Sequence, residues 1–229
     1  MRIDLISAVP KLLESPIEHS IIKRARNAGL VEVYIHDLRD FTKDKHRKID
    51  DYPYGGGAGM VLSPQPIFDC IEHLLRQRNY DHIIYTAPDG KAFNQTEANR
   101  LSLSENIIVL CGHYKGVDQR VRDQLITDEY SIGDYVLSGG ELPALVMIDA
   151  LIRLIPGSLG DAESALEDSF QNGLLGAPVY TRPADFRGIK VPDVLTGGNH
   201  KLADEWKHKQ SIERTQNLRP DLLNPNFDN

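Results

Sequence analysis

Through its first 155 residues the chain alternates short apolar runs with helix-patterned segments. That alternation narrows the fold to a mostly parallel sheet with helices on both faces, an α/β architecture. Residues 2–9, 31–38, 82–87 and 106–111 read as strands. The last of them carries Ile-Ile-Val-Leu, the unbroken apolar pattern of a strand buried on both sides. Ser15-Pro16-Ile17-Glu18 reads as a capping box with Pro at the first helical position, opening a helix that Gly29 ends. Ser63-Pro64 opens a second helix to about residue 78, Asn94-Gln95-Thr96-Glu97 caps a third, and residues 117–125 form a short fourth. Pro88-Asp89-Gly90 signals a turn, and residues 40–60 a long, Gly-rich loop.

The run from Ser131 to Pro143 sets a Gly, a Gly-Gly pair and a Pro around a short apolar strand, just before a long apolar helix. Glycines let backbone approach a ligand closely, and Pro suits the first turn of a helix. A strand, a tight loop and a helix start make the usual ligand-binding corner of an α/β fold. The helix over 141–155 is apolar nearly all round, so it needs burial on more than one side. A subunit interface provides that burial, and a homodimer is expected. Pro156-Gly157 stops the helix.

Bulk properties exclude several classes. With 26 basic against 33 acidic residues, the net charge is −7, which argues against indiscriminate nucleic-acid binding. Local basic patches remain: Lys43 to Lys48; Arg182, Arg187 and Lys190; and Lys201, Lys207, Lys209, Arg214 and Arg219. Taken singly, each is an ordinary solvated surface. Cys70 and Cys111 lie far apart in apolar surroundings and read as buried free thiols. The histidines show no metal-ligand spacing. No basic segment precedes an apolar core at the start of the chain, and the longest apolar run contains Asp149 and Arg153. A cytoplasmic protein without membrane association is expected.

Residues 1–156 read as one domain, 157–170 as a small, acidic, flexible linker, and 171–229 as a mainly helical second domain whose long helix, about 201–218, is capped by Asn199. Three small-residue loops recur at the ends of expected strands: Tyr85-Thr86-Ala87-Pro88, the run Cys111 to Gly116, and the motif already described. They suggest a ligand held mainly by backbone, or three ordinary turns. Gly55-Gly56-Gly57-Ala58-Gly59 lacks the Gly-Lys-Ser/Thr of a phosphate-binding P-loop, and no G-x-G-x-x-G opens a helix. With Tyr52, Tyr54 and the basic patch beside it, this loop reads equally as one closing over a nucleotide or as a plain flexible loop.

The run Asp50 to Met60, the segments Cys111 to Asp118 and Ile132 to Glu141, and the shorter Glu167-Asp168-Ser169-Phe170, Tyr180-Thr181-Arg182-Pro183 and Gly198-Asn199-His200 together resemble the bacterial tRNA (guanine-37-N1)-methyltransferase family, TrmD. The likeness runs in order over nearly the whole chain. It implies a SPOUT-type α/β domain with a trefoil knot, a homodimer, and transfer of a methyl group from S-adenosyl-L-methionine to N1 of guanosine 37 in tRNA. By motif match it places Tyr85, Thr86, Pro88, Gly112, Tyr114, Ile132, Gly133, Asp134, Tyr135, Val136, Leu137, Gly139, Gly140 and Pro143 at the methyl donor. Tyr54, Gly55, Gly57, Gly59, Arg182 and His200 fall to the RNA.

Guanine N1 carries a proton, so methylation there calls for a base, and for a cation to meet charge building on O6. The resemblance assigns Asp168 as base and Arg153 as cation. A free Asp, with a pKa of about 3.9, is a poor base at neutral pH, so Asp168 is expected to be desolvated when RNA binds. Read without the resemblance, Asp168 is a helix cap or a solvated linker acid. Arg153 closes an apolar helix, where a charge needs a partner or a task. Lys115 and Gln119 depart from the Glu that the family commonly has at each place. Because the first of those acids is linked to metal dependence, a magnesium requirement stays open. Two other readings stand beside this one: a non-catalytic RNA-binding module, and a SPOUT methyltransferase with another RNA target.

Overall fold

The computed structural model describes residues 1–159 and 168–223, in two compact units, Met1–Gly160 and Asp161–Asn229. The first unit is built on five strands in the order β2-β1-β6-β5-β7, all parallel. They are β1 (Arg2–Ser7), β2 (Glu32–Asp37), β5 (His82–Ala92), β6 (Asn106–Cys111) and β7 (Asp128–Ser131). Two short strands, β3 (Asp50–Asp51) and β4 (Val61–Leu62), pair antiparallel and bracket the Gly-rich loop.

Side chains of the central strands alternate between two cores. Ile3, Leu5, Ile107, Val109 and Ile84 face one, with helices α1 (Lys11–Ile17), α2 (Ser20–Asn27), α4 (Gln95–Leu101) and α6 (Glu141–Ile152). Ile6, Ile108, Leu110, Ile83 and Tyr85 face the other, with α3 (Pro64–Leu75) and α5 (Gln119–Leu125). Because the side-chain period is two, a one-residue slip of the Ile3–Ile107 and Leu5–Val109 register would exchange every residue between the cores. Helices therefore cover both faces, as the alternation predicts.

Several local expectations are corrected. The first helix starts at Lys11, not at Ser15, and Pro16 falls in its last turn; Ser20 and the residues after it form a separate helix. Glu18 does not cap: its carboxylate pairs with Arg26. Residues 88–90 are not a terminating turn. β5 continues to Ala92, and its register on β7 jumps between Thr86 and Lys91, so Ala87 to Gly90 bulge outward. Glycine is required there: a Cβ on Gly90 would lie 2.6 Å from the Tyr130 backbone nitrogen. The strand beside the Gly motif precedes it, as β7, and Tyr135 to Leu137 are exposed loop. Ser158 is buried and Leu159 packs on the first core, both within the stretch expected as a linker. Its stretch 160–167 lies outside the described residues, as do residues 224–229 of the expected second domain.

The second unit holds a two-stranded hairpin, β8 (Asp185–Phe186) with β9 (Ile189–Lys190), the short helix α7 (Asp193–Thr196), and α8 (His200–Leu218). Asn199 caps α8 by accepting from the Leu202 backbone N–H at 3.2 Å. Thr215 is the buried residue of α8, and its hydroxyl accepts from the Leu175 N–H at 2.9 Å. No helix among the described residues is long and apolar enough to cross a membrane.

Candidate functional site

A cavity of about 320 Å³ opens outside the carboxyl ends of β5, β6 and β7, where parallel sheets place their ligands. One wall is Tyr85, Thr86, Ala87, Pro88 and Asp89, from the end of β5 and its bulge. A second is the loop after β6, Gly112 to Val117, and the third is the run from Ser131 through Gly140, with Pro143 in the first turn of α6. The wall after β7 meets the wall after β6 backbone to backbone: the Gly140 N–H donates to the Gly112 carbonyl at 2.6 Å, and His113 bridges Gly139. Thirteen of the fourteen residues expected at the donor line this one cavity; Asp134 is exposed and does not.

Two glycines allow the walls to close. A Cβ on Gly140 would stand 2.0 Å from Thr86 Oγ1 and 2.5 Å from the Gly112 nitrogen; one on Gly139 would stand 2.4 Å from Glu141 Oε2 and 2.7 Å from His113 Nδ1. Glu141 is buried and accepts from Ser7 Oγ at 2.7 Å. His113 Nδ1 lies 3.9 Å from the same carboxylate and is a buried nitrogen without a hydrogen-bond partner among the described residues. Tyr114 holds a left-handed backbone (φ 58°), the kind of strain that clusters at ligand sites.

Charge in the cavity is mostly compensated. Arg122, not foreseen from sequence, is gripped by Glu129 and, at 2.9 Å, by Asp89. Its guanidinium also stands 5.5 Å from the Tyr85 ring centre. Burial and a bond to Glu97 push the Tyr130 hydroxyl up to about 12, and burial raises the Cys111 thiol, so neither ionises near neutral pH. Arg122 and Tyr130 carried no sequence signal, because side-chain pairing across strands sets their places, whereas His113 and Asp89 lie in loops that the sequence marks without singling them out.

The remaining expected residues are more dispersed. Arg153 caps α6 at its C-terminal end, half-buried, its N–H donating to the Asp149 carbonyl at 3.2 Å. It does not line the cavity, whereas Pro143 does; ten residues of helix separate the two by about 15 Å. Asp168, half-buried, belongs to the second unit, as do the exposed Arg182 and His200. Tyr54 is fully exposed, and Gly55, Gly57 and Gly59 all hold positive φ. Among the described residues no group of three or more His, Cys, Asp or Glu side chains is arranged to hold a metal.

A parallel sheet with helices on both faces, and with strand-end loops that meet around a pocket, defines an α/β protein with its cavity at the end of the sheet where such folds place their ligands. The family model described as tRNA (Guanine-1)-methyltransferase TrmD matches residues 1–225, and the chain belongs to that family. A tRNA (guanine-N(1)-)-methyltransferase of Flavobacterium psychrophilum is 63% identical over 223 residues, covering 97% of this chain and 99% of the relative. Proteins of the same description from Bacteroides thetaiotaomicron and Cytophaga hutchinsonii are 58% and 59% identical, each over 97% of this chain, and covering 99% and 94% of the relative.

Proposed function

We propose that the chain is a tRNA (guanine-N1)-methyltransferase that modifies guanosine 37, with S-adenosyl-L-methionine as methyl donor, as a cytoplasmic homodimer. The observation that carries this reading is the convergence of the family's donor motif on one cavity. The cavity's features fit such a donor. Gly112, Gly139 and Gly140 let the walls pack closely around it, and Ile132 and Leu137 offer apolar surface to its purine. When bound, the donor supplies a methyl group on a sulfonium.

The chain's own residues supply the rest. Asp168 takes the proton from guanine N1, and Arg153 meets the negative charge that this leaves at O6. The loop over residues 52–60 is the candidate cover for the incoming nucleotide, with Tyr54 as a stacking surface. Arg182 and His200 contact the RNA. Since Arg153 lies about 15 Å along α6 from Pro143, its pocket is that of a second copy. The surface that makes this dimer is the apolar row Leu142 and Val146, both more than half exposed within the single chain.

Transfer of labelled methyl groups to a tRNA transcript bearing G37 tests the reading. Labelling of that transcript and none of its A37 counterpart is expected; equal labelling, or none, overturns it. Mixing Asp168→Asn with the pocket variant Leu137→Asp tests the shared site. Partial recovery is expected, and no recovery places the site within one chain.

A further inference from the structure

The cavity has one charged group that its surroundings do not explain. Lys115 lines it, is exposed, and among the described residues has no carboxylate partner, whereas the neighbouring Arg122 is neutralised by Glu129 and Asp89. Its side chain does not wave in solvent. It lies along the Gly-rich loop: a Cβ on Gly59 would stand 3.2 Å from Lys115 Cγ and Cε, and one on Gly57 3.4 Å from Nζ. Gly57 and Gly59 hold positive φ, 104° and 91° respectively. The backbone zips the two loops together below this contact, with Lys115 N–H donating to the Met60 carbonyl at 3.0 Å, Leu62 N–H to Gly116 at 3.0 Å and Asp118 N–H to Leu62 at 3.0 Å. Two loops are thus fastened so that a lysine stem fits where side chains are missing, with its ammonium beside Gly57.

We propose that Lys115 binds a backbone phosphate of the RNA strand whose guanine enters the pocket, a contact that rests on the function proposed above. A cation in a cavity wall with no carboxylate beside it among the described residues suits an anionic ligand. Lys115 Nζ lies against Gly57, in the loop that the function above assigns to the incoming nucleotide. The donor's carboxylate is the competing anion, and the position beside the nucleotide loop favours the phosphodiester.

Lys115→Met keeps the stem against Gly57 and Gly59 and removes only the charge, so folding is preserved. Binding of a G37 tRNA transcript to the full-length protein is measured against KCl concentration by fluorescence anisotropy, beside calorimetric titration with S-adenosyl-L-methionine. Lys115→Met is expected to weaken RNA binding about five- to tenfold at low salt and to lower the slope of log K against log salt by about one contact, roughly 0.7–0.9. Lys115→Arg restores both, and donor affinity stays within about twofold. An unchanged slope overturns the proposal. So does a loss confined to donor binding, which would assign the ammonium to the donor's carboxylate. Methylation by the wild-type protein reports separately on the function: its absence with a normal Lys115 slope change removes the enzyme reading and leaves the phosphate contact.

Discussion

Gly140→Ala is the sharpest test of how the pocket is built. Gly140 has φ −84°, an ordinary helical value, so the new methyl group brings no backbone strain of its own. What it brings is collision: 2.0 Å to Thr86 Oγ1, 2.5 Å to the Gly112 nitrogen and 3.0 Å to Cys111 Cα. Two of the three obstacles are backbone of the central strand β6 and the residue after it, and cannot rotate away. Overpacking of this kind costs about 1–3 kcal/mol. Separating the walls also breaks the 2.6 Å bond from Gly140 N–H to Gly112 and the 3.3 Å bond from the Thr86 hydroxyl to Gly140, at roughly 1 kcal/mol each. The sum is about 3–5 kcal/mol, which in a unit of this size lowers Tm by roughly 10 °C. Gly56→Ala serves as the control, because Gly56 has φ 82° and open space around it. It pays only backbone strain, about 1 kcal/mol, and leaves the pocket alone. Differential scanning calorimetry and titration with the donor read both variants. A Gly140→Ala protein melting within about 2 °C of wild type, with unchanged donor affinity, would refute the idea that close backbone approach closes the site.

Ser7→Ala removes the hydroxyl that Glu141 accepts from at 2.7 Å and leaves a buried carboxylate short of a donor, so a loss of about 1–3 kcal/mol is expected in urea unfolding. Acid unfolding should have a limb set by Asp4 and Glu97. Burial alone would raise the Asp4 carboxyl, but bonds from His36, Arg2 and Tyr80 bring it down to about 2; Lys91 and Tyr130 bring Glu97 down to about 2. Both values lie below those of the unfolded chain, so each contributes about 2 kcal/mol above pH 4 that is lost as pH falls from about 4 to 2. In Asp4→Asn that part of the limb flattens, which Tm against pH would show. Val146→Glu places a charge in the exposed apolar row of α6, and sedimentation should find a monomer with methyl transfer lost and the donor pocket intact.

Where the chain advertises burial, the sequence is readable. Ile-Ile-Val-Leu in β6 and the Asn199 cap of α8 both lie where pattern and cap chemistry put them. β7 does not advertise. As an edge strand it carries Asp128 and Glu129, whose charges are used by Arg100, His82 and Arg122, so its polar sequence resembles a loop. The apolar Tyr135 to Leu137 therefore looked like the strand, although these side chains line the cavity as loop. Pro88 likewise reads as an end because a single sequence cannot show that β5 resumes pairing after its bulge. The cavity's main lining was legible through motif residues, while the cross-strand pairing that fixes Arg122 and Tyr130 arises only from the register.

The separation of pocket and chemistry along α6 has a geometric consequence for the proposed dimer. Within one chain the helix carries Pro143 at the cavity and Arg153 about 15 Å further on, so the role proposed for Arg153 is played at the pocket of a second copy. Its exposed apolar face is centred near Val146, with Leu142 one turn before it. In the proposed dimer, antiparallel pairing of two such helices about Val146 would bring the C-terminal end of one toward the N-terminal end, and so the cavity, of the other. The same apolar row that leaves the single chain with surface to bury is then what carries the cation to the reaction, so association and catalysis draw on one helix. A monomeric form would retain the pocket and still lack the group that meets charge at O6. Activity should therefore follow dimer concentration and not chain concentration.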